Sequence, residues 1–268
     1  MNVVTKVLKL LIITFSISVI VSCASPPSSD PEALAEYQKL NDPFETANRG
    51  IFGFNQILDK LIIKPVTTIY RTIAPDVVRE AIHNFLQNIK TPVIVANDLL
   101  QGEGNRAGNT IARFFINSTW GLLGFMDPAT EMGFEQHEED FGQTLAVWVV
   151  DEGPYLMLPV LGPSNPRDAI GKLVDWVIDP IHWWAANTDN SEVPLIRTGV
   201  NGVDTRDQLW EVLEDIEKNS IDPYASYRSL YRQRRADDIN NGKRSGSANP
   251  ALSDLDQDLE LANPDSGN

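Results

Sequence analysis

A chain of 268 residues, 42% hydrophobic and 22% charged, is long enough to bury a real core as one domain or two small ones. Its single cysteine, Cys23, excludes a disulfide framework. Its formal net charge of -15 argues against nucleic acid as a partner, because that binding needs phosphate-neutralising lysine and arginine.

Residues 1–22 read as a lipoprotein signal peptide. Lys6 and Lys9 supply a positive start, residues 8–21 are almost wholly apolar, and Ile20-Val21-Ser22 closes the run just before Cys23. A secretory cleavage site ordinarily ends on small residues. A cysteine at that point marks a thiol that takes a diacylglyceryl group, with a further acyl chain on the new amino terminus. The apolar run is too short for a comfortable span of about 20 residues, which disfavours a signal anchor. Cleavage removes two lysines and no acid, so the mature chain is two units more negative. That charge disfavours docking to anionic lipid through a polybasic patch, and any membrane contact is expected to be apolar and lipid-anchored. One acyl chain alone holds only marginally, at about 0.8 kcal/mol per buried CH₂, whereas several on Cys23 make attachment permanent. Ala24 follows the anchor in place of an aspartate, which fits sorting onward to the outer membrane.

Residues 23–40 form a lipidated tether. Asp42-Pro43-Phe44-Glu45 then reads as a helix start, with Asp42 as N-cap, Pro43 at the first helical position and Glu45 in the first turn. Phe44, Ala47, Ile51, Phe54 and Leu58 follow as one apolar stripe. Pro75-Asp76 opens a second helix carrying Val77, Ala81, Phe85 and Ile89. Thr91-Pro92 is expected to break it, leaving 92–100 as a short apolar helix that ends near Gly102. Residues 103–120 form a helix with Ala107, Ile111, Phe115 and Ser118 on one side. Asp98 and Glu103, at the turn between, are expected to be solvated.

After an apolar, glycine-bearing stretch at 121–133, the acidic run 135–140 is expected to open a helix over 138–150, where negative charge suits the macrodipole. Residues 153–166 read as a loop punctuated by proline and glycine. Helices follow at 166–179, 194–220 and 223–240. In the last, Arg232, Arg234 and Arg235, opposed by Asp237 and Asp238, are expected on an exposed face. From 243 to 268 the composition cannot bury enough surface to order itself, so a disordered acidic tail is expected. No internal repeat, period-2 segment of useful length or βαβ rhythm is present. The expectation is an all-α fold, with a single helical domain over 41–242.

Four segments, 61–66, 92–100, 114–125 and 155–161, are apolar nearly all round, yet each is too short to cross a bilayer as a helix. A globular core absorbs such segments as readily as a membrane leaflet does. Trp176, Trp183 and Trp184 tilt the balance towards the leaflet, since tryptophan collects at the interfacial belt.

Catalytic signatures are sparse. There is no phosphate-binding G-x-x-x-x-G-K-[ST] loop, and Ser164 lacks the second glycine of a G-x-S-x-G elbow. His83, His137 and His182 sit in separate segments. His137-Glu138-Glu139 resembles half of a zinc helix motif, but Phe141 stands where the second histidine belongs. No cofactor is expected, and no residue is nominated for an enzyme such as a lipid hydrolase.

From about residue 41 to 242 the chain resembles the MlaA (VacJ) family of outer-membrane lipoproteins. The matching pieces run in order: Asn41-Asp42-Pro43-Phe44-Glu45 with Asn48-Arg49, Phe52-Gly53-Phe54-Asn55, Lys64-Pro65-Val66, Asn84-Phe85, Gln101-Gly102 and 113–119. The most specific block is 139–145, followed by 153–159, 161–164, Arg167-Asp168, Asp222-Pro223-Tyr224 and Tyr231. The resemblance implies an α-helical ring with a central amphipathic pore, embedded in the inner leaflet of the outer membrane of a Gram-negative bacterium. It implies removal of misplaced phospholipids from the outer leaflet and hand-off to a periplasmic lipid carrier of the MlaC type. Such proteins work beside porin trimers and feed an inner-membrane ABC transporter that uses the ATP.

Arg197 matches a pore lysine of the family and is expected as a lumen cation, the alternative being a surface arginine on an amphipathic helix. Phe52, Gly53, Phe54 and Asn55 are expected to take part in gating, together with a hinge at 149–159. Relatives often place glycines where this chain has Val149 and Asp151, leaving only Gly153. The hinge is therefore expected to be stiffer, or displaced towards Gly153. The competing reading is a non-transporting scaffold lipoprotein that organises a porin or the cell envelope.

Overall fold

The computed structural model describes residues 40–241. Cys23, the signal peptide, all but the last residue of the tether and the acidic tail lie outside the described residues. The fold is helical apart from one short hairpin, and none of the described helices is long and apolar enough to cross a membrane.

The first rod is α1 (Glu45–Leu58), a π-helical turn (Asp59–Ile63) and α2 (Lys64–Ile73). Pro65 has no N–H to give the preceding turn, and the helix widens just before it. The expected cap is not made. α1 starts at Glu45, and Asp42 points inward to accept hydrogen bonds from Asn48 Nδ2 (2.8 Å), Tyr224 Oη (2.5 Å) and Arg228 Nη1 (2.6 Å). A cap contributes about 1 kcal/mol, less than a dry carboxylate gains from a guanidinium and two more donors. The buried face of α1 is Asn48 and Phe52, and Phe54 of the expected stripe is exposed.

α3 (Asp76–Leu100) runs straight through Pro92, contrary to the expected break. The proline ring is exposed, while Leu86, Asn88 and Thr91 before it and Ile94, Asn97 and Asp98 after it are all buried. That common face offsets the roughly 3 kcal/mol an internal proline costs. α3 ends in a Schellman turn: Gly102, at φ +80°, donates to Leu99 O and Glu103 N donates to Asp98 O. α4 (Gly104–Thr119) then packs on α3. It buries Ala107, Thr110 and Asn117, and leaves Ile111 and Phe115 of the expected apolar side exposed.

A single turn, α5 (Pro128–Glu131), precedes an extended segment at 134–140. Of the acidic run only Asp140 reaches a helix start, capping α6 (Phe141–Val147) through Gln143 N at 2.9 Å. The expected loop at 153–166 holds a hairpin, β1 (Leu156–Leu158) against antiparallel β2 (Gly162–Ser164), with Met157 opposite Pro163. α7 (Pro166–Ile178) packs so closely on α6 that a Cβ on Gly171 would lie 2.3 Å from Gly142 N. Then come α8 (Pro180–Asn187), which was not expected, and α9 (Val193–Gln208) and α10 (Trp210–Asn219), where one long helix was expected. α11 (Pro223–Ile239) completes the described chain.

Followed from neighbour to neighbour, the packing forms a closed circuit. It passes from the α1–α2 rod to α9, α3, α6, α11, β2, β1 and back to α1. The apolar core is small and lies at one joint of that circuit: Phe52, Tyr155, Met157 and Tyr224, with Ile51, Tyr227 and Tyr231 around them. Phe52 meets the rings of Tyr227 and Tyr224 edge-on at 5.1 and 5.7 Å. The fourth all-apolar segment thus sends Tyr155 and Met157 into protein, and Pro159, Val160 and Leu161 outward.

Candidate functional site

Burial is inverted relative to a water-soluble domain. Among the described residues, twenty-one buried polar or charged residues outnumber ten buried hydrophobic ones. Large hydrophobics lie outside in helical rows: Val66, Ile69 and Ile73 on α2, Ile170, Leu173 and Val177 on α7, Leu195 and Ile196 on α9. Trp176, Trp183 and Trp184 are each more than half exposed. An apolar surface of this extent needs a partner other than water.

The interior is held by charge pairs that the sequence did not disclose. Asp98, expected to be solvated, is buried, with Thr110 Oγ1 at 2.9 Å and His137 Nε2 at 3.1 Å. Beside it, Glu139 accepts from Arg106 and from Gln101, each at 2.7 Å. Burial pushes the Glu139 carboxyl up despite those donors. Asp207 on α9 receives Arg71 at 2.5 Å and both oxygens take Arg79 Nη1 at 2.6–2.7 Å, tying α9 to α2 and α3. One turn away, the Asp204 hydrogen bond to His83 Nδ1, at 2.9 Å, raises the imidazole above its ordinary value against the opposing effect of burial. Arg235, expected on an exposed face, is buried between Asp140 and Asp168.

Polar cavities open among these pairs. One of about 880 Å³ has Asp76, Arg79, His83 and Asp207 on its walls. A second, of about 570 Å³, lies along Arg106, Asn109 and Asp238. A third, of about 260 Å³, is bounded by Lys90, Asp175, Trp176, Asp179 and Arg197. They adjoin one another: Gln136 lines the first two, and Glu138 the second and third. Arg197 thus faces a cavity, ion-paired through Nη1 with Asp179.

The two expected gating regions meet each other, some distance in sequence from Arg197. Asn48 on α1 gives its Nδ2 to Tyr155 O (3.0 Å) and takes Met157 N on its Oδ1 (2.9 Å). Asn55 repeats the pattern with Leu158 O (2.9 Å) and Val160 N (2.8 Å). Asn41 Nδ2 reaches Gly153 O at 2.8 Å. Two asparagines, seven residues apart on one helix face, therefore read the backbone of β1 as a neighbouring strand would. Phe52 stands between them in the core, Gly53 has open space around its Cα, and Phe54 points away.

Val149 is 90% exposed at φ +64°, where a β-branched residue is strained. It occupies the C′ position of a Schellman turn that ends α6, with Val149 N on Ala146 O and Val150 N on Leu145 O, both at 2.9 Å. A glycine fits there without cost, which explains why this position suits one. Asp151 Oδ1 accepts from Gly153 N at 2.7 Å, and Gly153 itself has φ +70°. Val149→Gly is expected to raise stability by up to about 1 kcal/mol and to speed amide exchange over 149–153. Chemical unfolding and hydrogen exchange check this, and a destabilised variant would show that the valine is not strained.

Sequence reasoning passed over Asn48, Lys90 and Asp175. A lone amide or charge within a helical pattern carries no signal of its own; only Asn48, inside the Asn41 to Arg49 block that carries the family resemblance, was within reach. Among the described residues, no three His, Cys, Asp or Glu side chains gather as a metal ion requires.

The model of the MlaA lipoprotein family matches residues 40–238. The chain is 29% identical over 259 residues to the intermembrane phospholipid transport system lipoprotein MlaA of Escherichia coli, covering 94% of this chain and 97% of that one. It is 34% identical over 200 residues to an uncharacterised protein of Rickettsia prowazekii, covering 74% and 78%. A solved structure, from work on how bacterial outer-membrane lipid asymmetry is maintained, aligns with a TM-score of 0.64 at 32% identity, over 74% of this chain and 98% of that one. The chain belongs to the MlaA lipoprotein family.

Proposed function

We propose that this protein carries misplaced phospholipids out of the outer leaflet of the outer membrane and hands them to a periplasmic lipid carrier. The observation that carries the reading is the inverted burial: an apolar exterior around adjoining polar cavities. A charged head group moved into hydrocarbon without partners costs several kcal/mol or more. A body that offers polar walls to the head group and an apolar rim to the leaflet lowers that barrier. The name of the Escherichia coli relative, a lipoprotein of an intermembrane phospholipid transport system, points the same way.

In this reading the closed circuit of helices sits in the inner leaflet, and acyl chains on Cys23 secure delivery and retention. Arg197 is the cation met by the lipid phosphate. The seam between the Phe52 to Asn55 turn of α1 and the hairpin controls access, with Val149, Asp151 and Gly153 setting the stiffness of its approach. A porin trimer, an MlaC-type carrier and, at one remove, an ABC transporter complete the route.

The test is a deletion strain assayed for surface-accessible phospholipid. Loss of the gene is expected to raise it, and the wild-type gene to restore the low level. Purified Cys23→Ala protein is expected to need detergent still. Unchanged surface phospholipid, with a Cys23→Ala protein that is a monomer in plain buffer, would favour the scaffold reading instead.

A further inference from the structure

The cavity between α3, α7 and α9 has an uneven charge balance. Arg197 and Asp179 satisfy one another across it. Lys90, on α3, is held loosely: its Nζ lies 3.8 Å from a Glu138 oxygen, too far for a hydrogen bond. Asp175, on α7, has only neutral donors. Its Oδ1 accepts from Asn97 Nδ2 at 3.0 Å, and Phe141 N–H reaches its two oxygens at 3.0 and 3.2 Å. No cation among the described residues pairs with it, and burial pushes its carboxyl up to about 6. Glu138, Glu139 and Asp140 also line the space, the last two already paired with Arg106 and Arg235. Asp175 is therefore the lining carboxylate that lacks a cation and Lys90 the ammonium that lacks a hydrogen bond, beside the exposed indole of Trp176 and the side chains of Val93 and Ile94.

We infer that this cavity is a subsite for a zwitterionic phospholipid head group, in which Lys90 joins Arg197 at the phosphate and Asp175 receives the ammonium. The inference rests on the phospholipid reading above and specifies which lipid. Its volume, about 260 Å³, is that of roughly nine waters at about 30 Å³ each. That suits a phosphoethanolamine group and excludes a whole lipid, whose chains would lie outside against the apolar rim. Charge decides the selectivity. A head group with a phosphate alone is met by the cations but leaves Asp175 without one. One that carries its own ammonium supplies the cation that Asp175 lacks. Lysine suits the phosphate end, since it acts as a point charge on a flexible stem and tolerates a ligand in transit.

The test uses the full lipidated protein in detergent, exposed to mixed micelles holding equal amounts of phosphatidylethanolamine and phosphatidylglycerol with matched acyl chains. Retained lipid is read by mass spectrometry. Wild type is expected to keep phosphatidylethanolamine over phosphatidylglycerol by about fivefold, the range of a charge-assisted contact in a half-open site. Asp175→Asn is expected to bring the ratio to about one, and Asp175→Glu to preserve the preference. Lys90→Gln, at a half-buried position, should lower retention of both lipids without changing their ratio. Soluble phosphoethanolamine should compete where inorganic phosphate alone does not, which separates a head-group site from a phosphate site.

A wild-type ratio near one overturns the head-group assignment and leaves the transport reading standing. So does an unchanged ratio in Asp175→Asn with a normal melting curve, or equal competition by inorganic phosphate. Retention of neither lipid by wild type sinks both.

Discussion

Arg235→Ala is expected to lower stability by about 3–5 kcal/mol, the range for stripping one partner from a buried ion pair. Arg235 gives Nη1 and Nη2 to the two oxygens of Asp140 at 2.7 Å each, and Nη2 also reaches Asp168 Oδ1 at 2.9 Å. Both acids already hold other elements in place. Asp140 caps α6, and Asp168 takes Tyr231 Oη at 2.5 Å and Asn165 Nδ2 at 3.1 Å. Without the guanidinium, Asp140 is left without its cation and faces Asp168, which keeps its ion pair with Arg167 Nε at 3.2 Å, between α6, α7 and α11.

Acid sensitivity should change in the same variant. Burial pushes the Asp140 carboxyl up, and Arg235 with the Gln143 N–H more than reverses this, holding it below 3.8. Its contribution to stability is therefore complete above the ordinary aspartate value and lost as pH falls through the lowered one. In Arg235→Ala the depression disappears, so acid unfolding is expected at higher pH. Chemical unfolding in detergent at two pH values measures both effects. A loss under about 1 kcal/mol would show that the pair behaves as if solvated.

Arg197→Asp is expected to raise surface-accessible phospholipid to the level of a strain lacking the protein, at unchanged protein abundance. The substitution removes one of the two cations of the third cavity and sets a second carboxylate against Asp179, which also caps α8 through Ile181 N at 3.0 Å. Like charges on a polar wall repel a phosphate and one another. Arg197→Lys keeps the charge and is expected to keep at least about half of the clearance, because lysine binds phosphate as a point charge. Normal lipid clearance by a well-expressed Arg197→Asp protein would remove Arg197 from the path.

How much of this was legible follows from what periodicity encodes. Ile111 and Phe115 marked α4 correctly, because a stripe at helical spacing reports a helix. It does not report which medium the stripe faces, and here the buried face is Ala107, Thr110 and Asn117. The Gly102 stop was readable because a Schellman turn is local. Pro92 misled because a local penalty was outweighed by burial on the opposite face. Asp98, Asp42 and Arg235 were misplaced for one shared reason. Their partners, His137, Arg228 and Asp140, are 39, 186 and 95 residues away, and no short window contains both members of such a pair. Arg197 and the two gating regions came from family resemblance, since one arginine or one Phe-Gly-Phe-Asn run carries little signal alone.

The closed path of packing has a mechanical corollary. In an open bundle a helix can swing out by breaking contacts on one side. In a hoop, displacement of any member loads both of its neighbours, and the load travels round the circuit. The circuit closes at the joint that holds the apolar core, where Asn41, Asn48 and Asn55 also bind the backbone of the hairpin and its approach by amide hydrogen bonds. If the seam controls access as proposed, these bonds are the ones exchanged one at a time for water or for a lipid's own acceptors, and the clasp also has to part the rings of Phe52, Tyr155 and Tyr224.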